Sequence, residues 1–166
     1  MKKIVALVAA LAVLASSVTP ALAQAQGTLE KINQSGTLTI GTRTGSPPFA
    51  YVNSKNEWVG FTIDLVDELI KPALEKKLGK PIKVEKKEST PPTRIPLLSS
   101  NAVDLVAGTM TDTRTRRDSV DFSITFFVTG AQFLVKKGSK IRSIKDIDGK
   151  RIAAQQGSTN AKIIRE

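Results

Sequence analysis

The feature that most restricts this chain's fold is a device it uses twice: a short apolar run, a glycine, small hydroxyl residues, then the start of a helix. The first copy lies in Asp104 to Ser123, DLVAGTMTDTRTRRDSVDFS, where Leu105, Val106 and Ala107 are closed by Gly108 and followed by Thr109 and Thr111. A brief apolar run bounded by glycine is the pattern of a strand buried in a parallel sheet. Asp112 to Thr115 then read as the first turn of a short helix, with Thr111 or Asp112 as N-cap. In the second copy, a strand over Arg151-Ile152-Ala153-Ala154 leads through Gln156-Gly157-Ser158-Thr159-Asn160 into a helix from Ala161 onward. A strand feeding a helix N-terminus presents unpaired backbone N–H groups at the positive end of the dipole, which suits an anion. Arg116, one turn into the first helix, adds a fork for a planar carboxylate. The competing reading is a capped helix carrying surface arginines, Arg114, Arg116 and Arg117.

Composition narrows the chemistry further. The 166 residues suffice for about one domain. Lys+Arg number 25 against Asp+Glu 15, a formal charge of +10. Cysteine and histidine are both absent. That excludes disulfides, thiol catalysis and Cys-based metal sites, and it removes the commonest neutral-pH general base. No cofactor and no metal are expected. Nucleic acid is not expected as a partner, because aromatic residues that stack on bases are only 5%. A solvated basic surface, or attraction to acidic small molecules, fits better.

Residues 1–23 read as a signal peptide, outside the fold. Met1-Lys2-Lys3 is a basic n-region, Ile4 to Ala15 an apolar h-region, and Ala21-Leu22-Ala23 an A-x-A cleavage site. A membrane span needs about 20 consecutive apolar residues, and this run is shorter. No cysteine follows the cleavage site to take a lipid. Export itself argues against a nucleic-acid role.

Residues 24–35 read as a polar leader. Thr37 to Ile40 alternates as a strand ending at Gly41, and Gly41 to Phe49 is a turn-rich loop with Arg43 in it. Ala50 to Val52 and Glu57 to Gly60 flank the turn Asn53 to Asn56, a small hairpin. A helix is expected from Asp64 to Leu78, its apolar face built from Leu65, Leu69 and Ala73 with Val66, Ile70 and Leu74, and kinked by Pro72. Ile82 to Glu85 is the next strand, Arg94 to Ser100 a helix with Ile95 and Leu98 inward, and Val103 to Ala107 a strand. Phe122 to Phe127 and Val128 to Val135 read as extended segments, Lys136 to Gly138 as a turn, and Ser143 to Ile147 as a short helical piece. Alternating strands and helices predict an α/β architecture with mainly parallel sheets.

Six motifs occur in order: GTLTIGTRTGSPPFAY, EWVGFTIDLVDELI, TRIPLLSSNAVDLVAGTMT, TRRDSVDFS, FLVKKGSKIRSIKDIDGKRIA and QQGST. Together they resemble the periplasmic solute-binding proteins for polar amino acids that serve ABC importers, and most of all the glutamate/aspartate-binding branch. The resemblance runs from about Gly36 to Glu166. It implies an α/β periplasmic-binding-protein-like fold of two lobes (a Venus flytrap), with residues 36–130 as the first lobe and 131–166 as a hinge strand and the beginning of the second. The family chain continues far beyond Glu166, so only the first lobe and the start of the second are expected here.

The resemblance also implies site roles. Arg116 would bind the ligand α-carboxylate, with Thr109 and Thr111 adding hydrogen bonds. Ser158 and Thr159 would clamp the ligand from the second lobe. Arg43 would face the ligand side chain, and Arg94 would supply a second side-chain guanidinium. The ligand implied is an acidic amino acid, the partner an inner-membrane ABC permease, the location the periplasm and the state a monomer. Pro91 departs from the acidic branch, which has a hydroxyl there; Thr90 or Thr93 is expected to replace it. Two other classes share the scaffold: the ligand-binding module of a sensor or receptor, and a periplasmic dehydratase. No enzyme activity is expected, since the sequence shows neither histidine nor paired carboxylates at the cleft positions. The export signal gives a direct prediction: N-terminal sequencing of the exported protein returns Gln24 as its first residue, and recovery of Met1 would contradict it.

Overall fold

The computed structural model describes residues 27–165. The chain divides into two compact units, Met1–Lys31 and Ile32–Glu166. Of the first, the described residues open helix α1 (Thr28–Ser35), so part of the expected polar leader is helical. The expected signal peptide lies outside the described residues. In the second unit, α1 contributes Ile32 to the core and ends at Gly36.

Six strands follow: β1 (Thr37–Thr42), β2 (Gly45–Ser46), β3 (Ala50–Val52), β4 (Trp58–Val59), β5 (Lys83–Glu88) and β6 (Leu105–Val106). One sheet has the order β5-β1-β6, and both pairings are parallel. Ile40 sits opposite Lys86 on one side and Leu105 on the other. A strand flanked on both sides buries its side chains, and Leu38 and Ile40 are 2% and 0% exposed. β5 is one edge among the described residues, and its run of lysines and glutamates disfavours pairing of that edge with other chains. The other sheet, β2-β3-β4, is antiparallel. Its hairpin turn is fixed by Asn53, whose Oδ1 accepts from the N–H groups of Lys55 and Glu57 at 2.9 and 3.0 Å.

The long helix comes in three pieces: α2 (Phe61–Asp64), a π-helical segment Leu65–Ile70, and α3 (Lys71–Leu78). Pro72 explains the middle piece. It has no N–H, and its ring clashes with the carbonyl four residues back. The chain opens one turn instead: the Lys71 N–H reaches the carbonyl of Val66, five residues back. The wider turn also changes which side faces inward. Ile63 and Val66 are buried, with Ile70, Leu74 and Leu78 packed against the core. Leu69, expected on the apolar face, is 62% exposed, and Ala73 is exposed too. Gly79 closes the helix in the left-handed conformation.

α4 (Arg94–Ser99) corrects a second expectation, because its buried side chain is Arg94 rather than Ile95 or Leu98. α5 (Arg114–Arg117) is capped by Thr113, whose hydroxyl accepts from the Arg116 N–H at 3.3 Å; neither Thr111 nor Asp112 is the cap. Ile144–Ile147 forms one 3₁₀ turn with a capping box between Ser143 and Asp146. α6 (Thr159–Ile163) is capped by Ser158, which accepts from the Ala161 N–H at 3.1 Å.

The expected extended runs 122–135 and the expected strand 151–154 form no strands. A strand exists through its neighbours. Among the described residues nothing lies in register beside either run. Ile124, Val128 and Leu134 are correspondingly exposed. Phe127 and Phe126 still find partners, edge-on to Phe49 at 4.7 Å and tilted against Phe61 at 6.0 Å.

Gly60 joins the hairpin to α2 with φ 118°. The first helical N–H groups reach back to carbonyls, Phe61 to Pro48 at 3.0 Å and Thr62 to Phe49 at 2.9 Å. That approach leaves no room for a side chain: a Cβ on Gly60 would lie 2.6 Å from the Phe49 oxygen. Gly60→Ala is predicted to lower unfolding free energy by at least ~2 kcal/mol. Urea titration reads this as a lower midpoint at unchanged slope, and an unmoved midpoint would contradict it.

Candidate functional site

The parallel sheet dictates where a site forms. In chain order its strands are second, first, third, so the topology switches direction between β1 and β6. Ligands of open α/β sheets bind outside the carboxyl ends of the strands, at such a switch. Arg43 follows β1 directly, Thr109 and Thr111 follow β6, and Arg94 opens the helix after β5. α5 then brings in Arg116, and α6 brings in Ser158 and Thr159.

One cavity of about 570 Å³ gathers all of these residues: Arg43, Arg94, Thr109, Thr111, Arg116, Ser158 and Thr159 line it together. Sequence reasoning missed other parts of its wall, chiefly Gln155, Asn160 and Lys162. Gln155 had a legible signal, since it belongs to the QQGST motif. Pro91 lines the cavity, whereas Thr90 and Thr93 do not. Their hydroxyls are 3.0 Å apart and satisfy each other, so neither replaces the missing hydroxyl.

The guanidinium groups are held by neutral acceptors. Arg94 donates from Nη1 to the Thr109 carbonyl at 2.8 Å. Arg116 donates to the Thr111 carbonyl at 2.7 Å and to the Gly157 carbonyl at 3.3 Å. Arg43 donates from Nη1 to Oε1 of Gln155 at 3.0 Å. The hydroxyls of Thr111 and Thr159 meet at 3.2 Å. Gly157 permits this closeness: with φ 72°, its Cα faces the Pro91–Pro92 backbone, and a Cβ would lie 3.0 Å from the Pro92 nitrogen. The neighbouring arginines behave differently. Arg117 is bidentate to Asp112, with Nε to Oδ1 at 2.7 Å, and Arg114 is exposed. Of that cluster, Arg116 alone lines the cavity.

No aspartate or glutamate lines the cavity among the described residues. Arg94 shows the consequence. It is 3% exposed, its Nε has no hydrogen-bond partner, and its pKa falls to about 10. Burial is the largest cause, followed by the like charges of Arg43 and Arg116. Burial also lowers the pKa of Arg116. In the unfolded chain Arg94 keeps its proton up to its ordinary pKa, so from about 10 up to that ordinary value the unfolded state binds more protons. Its contribution to stability therefore rises with pH through that window, and at neutral pH the buried charge is a cost. The cavity wall thus presents positive charge that no carboxylate among the described residues neutralises.

Comparison with known proteins gives the family. Residues 38–164 match the model of the bacterial extracellular solute-binding proteins, family 3. The chain belongs to that family. It is 43% identical over 141 residues to a glutamine-binding protein of Geobacillus stearothermophilus, covering 84% of this chain and 52% of that protein. It is 35% identical over 141 residues to an L-glutamate/L-aspartate-binding protein of Pseudomonas aeruginosa, covering 84% of this chain and 46% of the relative. The solved structure of an ancestral arginine-binding protein bound to glutamine superposes with TM-score 0.69 at 40% identity, over 78% of this chain and 55% of that one. The fold is that of the periplasmic binding proteins. This chain spans about half the length of the curated relatives it matches.

A buried, incompletely bonded charge predicts opposed effects on stability and binding. Arg94→Met is expected to hold or raise the unfolding free energy, by up to ~1 kcal/mol, since an apolar chain of similar length removes the desolvation cost. The same variant is expected to bind carboxylate ligands more weakly. Chemical denaturation checks the first half, and a loss above ~1 kcal/mol would show that Arg94 holds the fold together.

Proposed function

We propose that the protein is an exported binding protein that captures an acidic amino acid, glutamate or aspartate, for delivery to an inner-membrane ABC permease. One observation carries the reading: Arg43, Arg94 and Arg116 line a single cavity, and no acidic side chain among its described walls neutralises them. In this reading Arg116 takes the α-carboxylate at the corner between Thr111 and α5, where Thr109 and Thr111 add hydroxyls. Ser158 and Thr159 close on the ligand from α6. Arg43 and Arg94 take the distal carboxylate, a task for paired forks that a neutral side chain does not repay. Export through residues 1–23, a periplasmic location and a monomeric state complete the proposal.

Glutamine is the second reading, favoured by the glutamine-binding relative at 43% identity. A carboxamide offers one acceptor oxygen to the two forks, and its NH₂ points donors at donors. Binding rather than catalysis is proposed because the described cavity wall presents neither imidazole nor a carboxylate pair for proton transfer.

Calorimetry with glutamate, aspartate, glutamine and arginine separates the readings. The parent is expected to prefer glutamate or aspartate over glutamine by at least ~10-fold, the equivalent of ~1.4 kcal/mol. Arg116→Ala should weaken all ligands alike, by ~10- to 100-fold, as one charge-assisted hydrogen bond is worth ~1.5–3 kcal/mol. Arg43→Ala and Arg94→Ala should erase the acidic preference, and Arg43→Asp should abolish acidic binding. A parent that prefers glutamine overturns the acidic assignment; an Arg116→Ala protein with parental affinity overturns the α-carboxylate role.

A further inference from the structure

The acceptors that hold the cavity's guanidinium groups differ in one respect. Arg94 and Arg116 lean on backbone carbonyls, of Thr109, Thr111 and Gly157. Arg43 leans on a side chain, Oε1 of Gln155, contributed from 112 positions later in the chain. Both partners line the cavity, and neither makes an ion pair among the described residues. The amide oxygen thus aims Arg43 into the cavity without cancelling its charge.

Glutamate has the same shape as glutamine and differs at this contact by a full negative charge. At position 155 it would sit about where the amide oxygen now lies, 3.0 Å from Arg43 Nη1, and form an internal ion pair. A ligand carboxylate would then have to displace that partner while being repelled by it. A neutral ligand would meet the competition without the repulsion. We propose that Gln155 is a positioning residue for specificity: by holding Arg43 through a neutral acceptor, it keeps the cavity's positive charge available and so sets the preference for acidic over neutral ligands. The inference rests on the acidic-ligand reading above.

The test is titration of glutamate and glutamine into the parent, Gln155→Glu and Gln155→Met proteins at low and moderate salt. Gln155→Glu is expected to weaken glutamate by at least ~10-fold and glutamine by no more than ~3-fold, with the gap narrowing as salt rises. Gln155→Met keeps the volume without the charge, and should weaken glutamate less than Gln155→Glu does, since it only frees Arg43 to wander. A Gln155→Glu protein with the parental glutamate-to-glutamine ratio overturns the inference. So does a Gln155→Met protein whose ratio falls as far, because the effect would then be loss of a contact and not gain of a charge. A parent that prefers glutamine overturns the acidic reading and this inference together. A parent that prefers glutamate, with an unmoved ratio in Gln155→Glu, overturns this inference alone.

Discussion

The parallel pairing of β1 with both of its neighbours is the constraint on which the cavity depends. Because β5 and β6 flank β1 with all three running the same way, their carboxyl ends fall on one side of the sheet. Arg43, Arg94 and Thr109 come from distant parts of the chain, yet each is released at that side. The ladder is continued past the strands themselves: the Ser89 N–H reaches the Thr42 carbonyl at 2.7 Å, and the Ala107 N–H reaches the Gly41 carbonyl at 2.9 Å. These bonds fix the first residues of the loops that carry the site.

The energetic character of the cavity follows from what such a scaffold is asked to hold. Three guanidinium groups are brought into one concavity with Lys162 beside them, one of the three buried with an unpartnered Nε–H. Each guanidinium is restrained by dipoles and none by a countercharge among the described residues. A fixed dipole orients a guanidinium while leaving most of its field to reach outward, whereas a carboxylate would quench it. The pKa of Arg94 is lowered first by its burial and then by the like charges of Arg43 and Arg116. Under the proposed function, stability and recognition are opposed at this position.

Local signals in the sequence proved reliable where the physics is local. The helix end at Leu78, the short helical piece at Ser143 to Ile147 and the Asn53 turn depend on a few neighbouring residues, and each forms as expected. The motifs and the family resemblance they carry led to seven of the residues that line the cavity, Arg43, Arg94, Thr109, Thr111, Arg116, Ser158 and Thr159, but not to Gln155, Asn160 or Lys162. What was not legible depended on distant partners. The periodicity around Leu65, Leu69 and Ala73 was read on a regular helix, and the π turn before Pro72 rotated part of that face outward. The apolar runs 122–135 have strand composition but, among the described residues, no neighbour to pair with. The burial of Arg94 is set by residues far along the chain, and a six-residue helix carries too few positions for its pattern to reveal it. Gln155 stood in a legible motif, but its contact with Arg43 lies across the fold.

The central claim is that this cavity sorts the two ends of an acidic amino acid between different arginines. A crystal structure of the protein with glutamate tests it most directly. The account predicts the α-carboxylate within hydrogen-bond distance of Arg116, and the distal carboxylate between Arg43 and Arg94, with Gln155 turned away from Arg43. Glutamate bound in the reverse orientation, or outside this cavity altogether, would contradict it.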